Sequence, residues 1–380
     1  MKIGIDIRPL NTGRRSGVEG YIINLLSSLF EVDSENEYKL FCNSFKKADF
    51  TELNIDKYPN VKLYNFNYPN KILNTSLKFL RYPKIDKLLG EVDIFFEPNI
   101  LFNSLSDKCR SIFTFHDLSF ITHTKYYSIK RRLWHKLINP SKFAQKAHGI
   151  IAVSHSTKND LVNIFGIDPD KIKVIYSGIK DVNNLSSEVI VKARLKNNIP
   201  DKYILYLGAM EPRKNIIGLI SAFERLKHDK NISHKLVLAG SKGWLSKKIM
   251  NKINNSKYKK DIVLFGFVDE ELKNILLNLA DMFVFPSYYE GFGFPPLEAM
   301  AAKTPVIVSS VSSLPEVCGK AALYVDPYNV MEIYKMMLQI IEDDLLRDKL
   351  ISYGLAQIEK FKWEKTAIQT KEYFEQINNS

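Results

Sequence analysis

The stretch that decides the fold lies at residues 282–308 and reads MFVFPSYYEGFGFPPLEAMAAKTPVIV. The apolar run at 282–285 predicts a buried strand, and a loop with two glycines follows it. Helical spacing near 296–302 comes next, and a second apolar run at 305–308 predicts another strand. A strand, a helix and a second strand in this order are typical of a parallel sheet with crossover helices.

The same alternation continues in both directions along the chain. Strands are predicted at 2–7, 38–42, 61–65, 92–96, 111–115, 149–153, 172–176, 203–208, 235–239, 262–265, 282–285, 305–308 and 322–325, and helices near 215–227, 269–278, 296–302, 329–342 and 344–359. The segment 178–201 is polar and lacks strand alternation, which indicates a linker. We therefore predict two doubly wound α/β domains, 1–180 and 181–362, and a C-terminal helix at 363–380 that packs back on the first domain.

Length and cysteine content agree with this organisation. A chain of 380 residues is long for one core and suits two domains. Its three cysteines are far apart, so neither a disulfide framework nor a metal-ligand set is expected. The first ten residues alternate like a strand instead of forming the apolar core of a signal peptide, and no stretch is long enough for a membrane-spanning helix. We expect a cytoplasmic protein.

Two loops that follow predicted strands carry charged side chains, and ligands of open α/β sheets bind at such strand ends. Arg213 and Lys214 precede a helix, where two cations can neutralise a diphosphate or simply form a solvated basic turn. Glu290 lies among glycines and aromatic residues, where a carboxylate suits a hydroxyl ligand. Glu298 falls in the first turn of the predicted helix, where it also complements the helix dipole. Together these residues predict a site for a nucleotide sugar.

Four segments in the second half carry a family resemblance. They read EPRKN at 211–215, AGSKGW at 239–244, VLFGFVDEEL at 263–272, and EGFGFPPLEAMAAKTPVIVSSVSSLPEVCGKAALYVDP at 290–327. Their content and order resemble the retaining glycosyltransferases of family 4, which have the GT-B fold. The resemblance implies two Rossmann-like domains facing a cleft, the first binding the acceptor and the second the donor. It also implies retaining transfer without a cofactor or a metal ion.

The resemblance also implies roles for individual residues of the second half. Arg213 and Lys214 match the positions that bind the donor diphosphate, Glu298 the one that binds the ribose, and Glu290 a catalytic position in contact with the transferred sugar. The remaining matches are Gly293 and Phe294, whose backbone lies against the sugar and phosphate, and Phe267 and Val268, which lie beside the base.

Two residues of the first half match the same family. The glycine-rich loop at 11–21 lacks the GxGxxG spacing of a dehydrogenase, and its Gly17 matches the glycine that lies against the donor diphosphate. His116 follows a predicted strand and matches a catalytic position near the transferred sugar. Asp168 and Asp170 are spaced like the metal-binding Asp-x-Asp of the other glycosyltransferase fold, but a capped turn explains them better. No metal site is predicted.

The resemblance is closest to bacterial mannosyl- and rhamnosyltransferases of surface-polysaccharide assembly, including O-antigen synthesis. It implies a nucleotide-sugar donor, with GDP-mannose as the first expectation and a UDP-hexose or dTDP-rhamnose as alternatives. The expected acceptor is a glycan or a lipid-linked glycan.

The net charge of +12 is concentrated in the first half, where residues 1–180 carry 27 Lys+Arg against 18 Asp+Glu. Basic amphipathic patterns at 70–89 and 125–146 suit an anionic membrane surface, which would place the protein on the inner face of the cytoplasmic membrane. A solvated helix face explains the same pattern. No nucleic-acid motif accompanies the charge. The competing class is a non-enzymatic protein that binds a membrane or a polyanion.

Overall fold

Helices and strands alternate along the chain as the sequence predicts. The structure, a computed structural model, describes residues 1–12, 17–45, 50–180, 187–241, 243 and 245–380. The helices are α1 (Gly17–Val32), α2 (Asn70–Thr75), α3 (Ile85–Leu88), α4 (Ser119–Thr122), α5 (Ile129–Ile138), α6 (Pro140–Lys146), α7 (His155–Phe165), α8 (Ser187–Asn197), α9 (Ile216–Lys230), α10 (Lys247–Asn254), α11 (Glu270–Leu279), α12 (Phe294–Ala301), α13 (Leu314–Cys318), α14 (Val330–Glu342), α15 (Asp344–Ile358) and α16 (Trp363–Asn379).

The chain divides into two compact units. The first contains Met1–Leu118, Leu133–Gly178 and Phe361–Ser380, and the second contains Ser119–Arg132 and Ile179–Lys360. The short segment Ser119–Arg132 thus belongs to the second unit although the sequence places it in the first half. Residues 181–186 of the predicted linker lie outside the described residues. That one domain binds the acceptor and the other the donor stays a prediction.

The first unit contains a parallel sheet. Its described strands are β1 (Lys2–Asp6), β2 (Glu37–Asn43), β3 (Val61–Phe66), β4 (Ile94–Glu97), β5 (Arg110–Phe115), β6 (Gly149–Ala152) and β7 (Ile172–Val174). They lie in the order β3-β2-β1-β4-β5-β6-β7, and each pairs with its neighbours in parallel. The strand order reverses between β1 and β4.

The second unit repeats this plan. Its described strands are β8 (Tyr203–Leu207), β9 (Lys235–Ala239), β10 (Ile262–Gly266), β11 (Met282–Phe285), β12 (Val306–Ser309) and β13 (Ala322–Val325). They lie in the parallel order β10-β9-β8-β11-β12-β13. The chain leaves β8 toward β10 and returns on the other side of β8 at β11. Ligands of such folds bind where the strand order reverses, at the carboxyl ends of the strands.

The central strands of both sheets are buried on both faces, which explains their continuous apolar runs. All four residues of β11 are fully buried, and so are Ile3 and Ile5 of β1. Gly4 lies between them, and a Cβ at this position would come within 2.8 Å of the Phe95 ring. The core of each unit therefore lies between its sheet and the helices on either face.

The C-terminal helix α16 belongs to the first unit and packs on its sheet. The hydroxyl of Tyr373 accepts a hydrogen bond from the Ile150 N–H at 3.1 Å and donates one to the Lys171 carbonyl at 2.9 Å. The ring of Phe374 packs against Phe96, with 5.1 Å between centroids. These contacts attach the end of the chain to β4, to β6 and to the turn before β7.

One predicted boundary is wrong. The helix after β11 begins at Phe294 and not near Pro296, because Gly293 adopts φ +114° and ends the preceding loop earlier. Glu298 is consequently the fifth residue of α12 and not part of its first turn. Among the described residues, no helix is both long and apolar enough to cross a bilayer.

Candidate active site

The candidate site lies at the reversal of strand order in the second sheet. β8 and β11 are neighbours there, and each ends in a loop with charged residues. After β8, Arg213 and Lys214 form a short 3-10 turn that leads into α9. After β11, Glu290 lies in the glycine loop that leads into α12. The topology thus brings together residues that are far apart in sequence.

These loops form a buried cluster of ion pairs. Nζ of Lys214 lies 2.6 Å from one carboxylate oxygen of Glu290, and a guanidinium nitrogen of Arg213 lies 3.1 Å from the other. Arg213 also pairs with Glu211 at 3.0 Å and donates a hydrogen bond to the Tyr289 carbonyl. Two cations and two carboxylates are therefore held together as mostly buried side chains.

The two carboxylates of this cluster differ in their electrostatics. Burial acts to raise the pKa of Glu290, but the charges of Arg213 and Lys214 outweigh it and hold the pKa below the ordinary value. The pKa of Glu211 is raised, because burial prevails there over the attraction of the same two cations. Glu290 is therefore ionised. A ligand with phosphate groups would have to share Arg213 and Lys214 with this carboxylate.

The serine-rich loop after β12 positions Glu290. The Glu290 N–H donates a hydrogen bond to Oγ of Ser312 at 2.9 Å. Oγ of Ser313 donates to the carbonyls of Glu290 at 3.0 Å and Phe292 at 2.8 Å. The backbone of the glycine loop is thus fixed from the side of β12, while the Glu290 side chain is fixed by the two cations.

Gly293 cannot be replaced easily by another residue. Its φ of +114° is unfavourable for residues with a Cβ, and a Cβ would lie 2.8 Å from a methyl group of Leu314. Phe294 follows as the first residue of α12, and because Pro295 and Pro296 carry no N–H, Phe294 supplies the one backbone N–H among the first three residues of the helix. Such a helix start favours an anionic ligand.

Glu298 lies deeper in α12 and is paired. Nζ of Lys273 on α11 lies 2.8 Å from its carboxylate and also contacts Glu270 at 2.9 Å. Burial acts to lower the pKa of Lys273, but Glu298 and Glu270 raise it overall. Since Glu298 is outside the first turn, the helix dipole does not account for it. Its side chain remains partly exposed, which suits a ligand hydroxyl.

Phe267 and Val268 follow β10, at the edge of the second sheet. Phe267 is 68% exposed, which is unusual for a phenylalanine and leaves its ring open to a planar ligand. Asp269 ends the segment by accepting a hydrogen bond from the Leu272 N–H at 2.9 Å and so begins α11. The segment beside the predicted base is thereby held at its C-terminal end.

His116 and Gly17 belong to the first unit. Nε2 of His116 lies 2.8 Å from the Pro98 carbonyl, and the ring meets Tyr21 edge to face at 4.8 Å. A carbonyl only accepts, so Nε2 carries the hydrogen, and the neutral ring keeps Nδ1 as an acceptor. Burial lowers the pKa of His116, which favours this neutral form. Gly17 is the exposed first residue of α1, and residues 13–16 before it lie outside the described residues.

The predicted residues thus fall into separate groups. Arg213, Lys214 and Glu290 form one cluster, and Gly293 and Phe294 continue its loop. The roles of all of them toward a donor stay predictions. Of the other predictions, Asp168 caps its own turn by accepting a hydrogen bond from the Asp170 N–H at 3.0 Å, as expected. The loop AGSKGW is described only in part, because Lys242 and Trp244 lie outside the described residues.

Sequence reasoning missed three contributors to the cluster. Glu211 balances Arg213, and its nearness to Arg213 in sequence is a signal that could have identified it. Ser312 and Ser313 hold the Glu290 loop, and the only signal for them is that they follow a strand next to β11. No local pattern distinguishes such serines from ordinary turn residues.

Two doubly wound domains with this cluster at a strand reversal define a class of protein, the GT-B glycosyltransferases. Residues 15–181 match the model described as Glycosyltransferase Family 4, and residues 190–357 match the model Glycosyl transferases group 1. The chain is 34% identical over 264 residues to O-antigen chain mannosyltransferase B of Escherichia coli, which covers 69% of each chain. The protein belongs to the family 4 glycosyltransferases.

Solved structures confirm the fold class. The chain is similar to sucrose-phosphate synthase from Thermosynechococcus elongatus, with a TM-score of 0.76, 19% identity and coverage of 99% of this chain and 98% of that one. It is also similar to Anabaena Alr3699/HepE in complex with UDP and glucose, with a TM-score of 0.73, 18% identity and 99% coverage of both chains. At these identities the likeness establishes the fold alone.

Proposed function

We propose that the protein is a retaining mannosyltransferase that transfers mannose from GDP-mannose to a glycan or a lipid-linked glycan in O-antigen or related polysaccharide synthesis. The observation that carries the proposal is the buried cluster of Arg213, Lys214 and Glu290 at the strand reversal of the second sheet. The similarity to an O-antigen chain mannosyltransferase supports mannose as the sugar. A UDP-hexose and dTDP-rhamnose are the alternative donors.

In this proposal the cations take the charge that develops on the leaving group. The bond between mannose C1 and the diphosphate breaks, and both electrons leave with GDP. Arg213 and Lys214 stabilise the departing phosphate together with the Phe294 N–H at the start of α12. A bond forms between C1 and the acceptor oxygen on the same face of the sugar, and the departing phosphate oxygen takes the acceptor's proton.

Glu290 and His116 act on the sugar in this proposal. The ionised Glu290 carboxylate accepts hydrogen bonds from sugar hydroxyls and orients the ring. Nδ1 of the neutral His116 accepts one more, since its Nε2–H is already committed to Pro98. Glu298 binds the ribose, and Phe267 stacks on the base. Because two side-chain cations supply the positive charge, we propose that transfer needs no metal ion and continues in the presence of EDTA.

A thermal-shift panel of GDP, UDP, dTDP and ADP tests the donor. A ligand that binds only the folded state and is present at a hundred times its Kd stabilises it by about 2.7 kcal/mol. We expect GDP to give the largest shift. A larger shift with UDP or dTDP would replace GDP-mannose by the corresponding alternative, and no shift with any nucleotide would favour the non-enzymatic class.

Lys214→Ala tests the diphosphate contact. Hydrogen bonds to charged groups contribute about 1.5–3 kcal/mol, so we expect GDP to bind roughly tenfold to a hundredfold more weakly while guanosine affinity is unchanged. Lys335→Ala is a matched control, because Lys335 is exposed on α14. An equal loss for GDP and guanosine would remove Lys214 from this role.

We also propose that the protein works at the inner face of the cytoplasmic membrane through the segments 70–89 and 125–146. In α5, Ile129, Leu133 and Leu137 follow at intervals of one turn, and all three are exposed, Ile129 at 83%. Cations flank this apolar stripe. In the other segment, exposed apolar residues alternate with lysines and arginines around the end of α2; they are Ile72, Phe79, Leu80 and Tyr82. Apolar side chains with flanking cations are typical of helices that lie on anionic lipid.

Co-sedimentation with vesicles of anionic or neutral lipid tests this surface. We expect binding to anionic vesicles at low salt and release at high salt, where charges are screened. Lys130→Glu with Lys136→Glu should abolish it at an unchanged melting temperature, since both side chains are exposed. Equal binding of wild type and variant, or indifference to lipid charge, would favour a solvated helix face.

A further inference from the structure

Three tyrosines from distant parts of the sequence stack on one another in the second unit. The rings of Tyr126 and Tyr288 are nearly parallel, at 10°, with 5.2 Å between centroids. Tyr328 meets Tyr288 on a tilted ring plane at 4.8 Å. We call these three residues the tyrosine stack. It joins the segment Ser119–Arg132 to the loops that follow β11 and β13.

The tyrosine stack is attached to the ion-pair cluster by backbone hydrogen bonds. The Tyr288 N–H donates to the carbonyl of Arg213 at 2.9 Å. Asn215, the residue after Lys214, donates from its side-chain amide to the carbonyl of Pro327 at 2.6 Å, directly before Tyr328. The stack and the cluster are therefore two parts of one structure at the carboxyl edge of the sheet.

The strand order determines the sequence in which these side chains follow one another along the carboxyl edge of the second sheet. Along it, Phe267 follows β10, Lys214 lies beyond β8, Glu290 follows β11 and Tyr328 follows β13. A donor bound as proposed above has its base beside Phe267, its diphosphate at Lys214 and its sugar at Glu290. In this order the tyrosine stack lies beyond the sugar, on the side away from the base, and an acceptor that rests on it lies beside the sugar whose C1 it attacks.

We propose that the tyrosine stack is a platform for the acceptor glycan, on which an α-mannoside lies with one face of its ring against Tyr328. The proposal rests on the function proposed above and assigns the acceptor a place on the donor-binding unit. Aromatic rings present a broad apolar face for the C–H groups of a sugar and, in tyrosine, a hydroxyl at the rim for its polar groups.

Exposure distinguishes a platform from ordinary packing. Tyr328 is the outermost ring of the stack and is 63% exposed. An aromatic side chain that only fills a core is buried. Burial, the neighbouring Tyr288 and Tyr328, and a hydrogen bond with Tyr328 raise the pKa of Tyr126. The Tyr126 phenol therefore stays neutral and adds no charge to the platform that would repel the departing diphosphate.

Titration of the full-length protein with α-linked mannotriose, in the presence of saturating GDP, tests the platform. We expect Tyr328→Ala to weaken mannotriose binding by about tenfold, the size of a lost aromatic contact, and to leave GDP affinity unchanged. In turnover assays the KM for mannotriose should rise while the KM for the donor is unchanged. Tyr353→Ala is the matched control, because Tyr353 is a 40% exposed tyrosine on α15 of the same unit.

Three results would overturn the platform. They are no mannotriose binding by wild type, equal mannotriose affinity in wild type and Tyr328→Ala, and a parallel loss of GDP affinity in Tyr328→Ala, which would show that the stack only supports the donor loops. Failure of the proposed function has a different signature. In that case the wild type does not turn over GDP-mannose, while mannotriose binding and its loss in Tyr328→Ala are measured independently of turnover.

Discussion

Replacing Glu290 by glutamine tests the ion-pair cluster most severely, because the change removes one charge and keeps the shape. The carboxylate lies 2.6 Å from Lys214 and 3.1 Å from Arg213. With an effective dielectric constant of about 20, these two attractions are about 6 and 5 kcal/mol before the cost of desolvation. Removal of one partner from a buried ion pair costs about 3–5 kcal/mol in net stability. Glutamine has one carbonyl oxygen, so it keeps one of the two hydrogen bonds while its NH2 group faces the other cation, and we expect a loss of about 4 kcal/mol.

Calorimetry checks this magnitude. For a unit of this size, 1 kcal/mol corresponds to about 2–4 °C, so Glu290→Gln should melt about 10 °C below wild type without ligand. GDP should reverse the loss, because its diphosphate replaces the missing negative charge. We expect the variant to bind GDP at least as tightly as wild type, to lose the additional affinity for GDP-mannose, and to turn over about a hundredfold more slowly.

The matched control is Glu342→Gln, which breaks an exposed pair with Lys230 and should melt with wild type. The reasoning is refuted if Glu290→Gln also melts with wild type, because the cluster would then not be a coupled set of charges. It is equally refuted if the variant loses GDP binding, because Glu290 would then hold the nucleotide instead of the sugar.

Three further outcomes are expected. Glu298→Gln should weaken guanosine and GDP to the same extent, measured by titration calorimetry, and unchanged affinities would exclude ribose binding. His116 is neutral in the folded chain, whereas in the unfolded chain it takes up a proton below about pH 6.5, so the wild type loses stability as the pH falls. Between about pH 7 and pH 5, the melting temperature of His116→Gln should therefore fall less than that of wild type. Parallel melting curves for the two proteins would contradict this. Gly178→Ala places a Cβ 2.3 Å from the backbone of Trp363 and should cost about 1–3 kcal/mol in chemical unfolding, whereas Gly20→Ala has open space and should cost nothing.

Sequence patterns were sufficient for the strands. Each predicted strand is present within a few residues, because parallel strands buried on both faces have continuous apolar runs that few other elements share. The reversal between β8 and β11 does not follow from any local pattern, and it is this reversal that brings Lys214 to Glu290. The family resemblance indicated that Lys214 and Glu290 belong to one site, which local sequence patterns do not indicate.

The start of α12 shows where local rules fail. A proline suits the first turn of a helix, so the run Pro295–Pro296 predicts a start there. The positive φ of Gly293 and the packing of Leu314 against it decide otherwise, and both depend on the loop after β12. Because α12 begins two residues earlier than predicted, Glu298 lies outside its first turn and does not complement the helix dipole. Its carboxylate pairs with Lys273 and is partly exposed to a ligand.

The tyrosine stack was beyond sequence reasoning for another reason. Tyr126 belongs to the basic segment that suggested a membrane surface, and Tyr328 follows an edge strand with no special pattern. Only the folded chain shows that Ser119–Arg132 packs with the second unit. Charge and hydropathy report the composition of a segment, but they do not report what the segment packs against.

The configuration of the product tests the proposed transfer most directly. The enzyme is incubated with GDP-α-mannose, carrying ¹³C at C1, and α-linked mannotriose in the presence of EDTA, and the one-bond C1–H1 coupling of the new linkage is measured by NMR. We expect an α-linked product, formed without added metal by Arg213, Lys214 and the start of α12. A β-linked product, or activity that EDTA abolishes and a divalent metal restores, would contradict the mechanism.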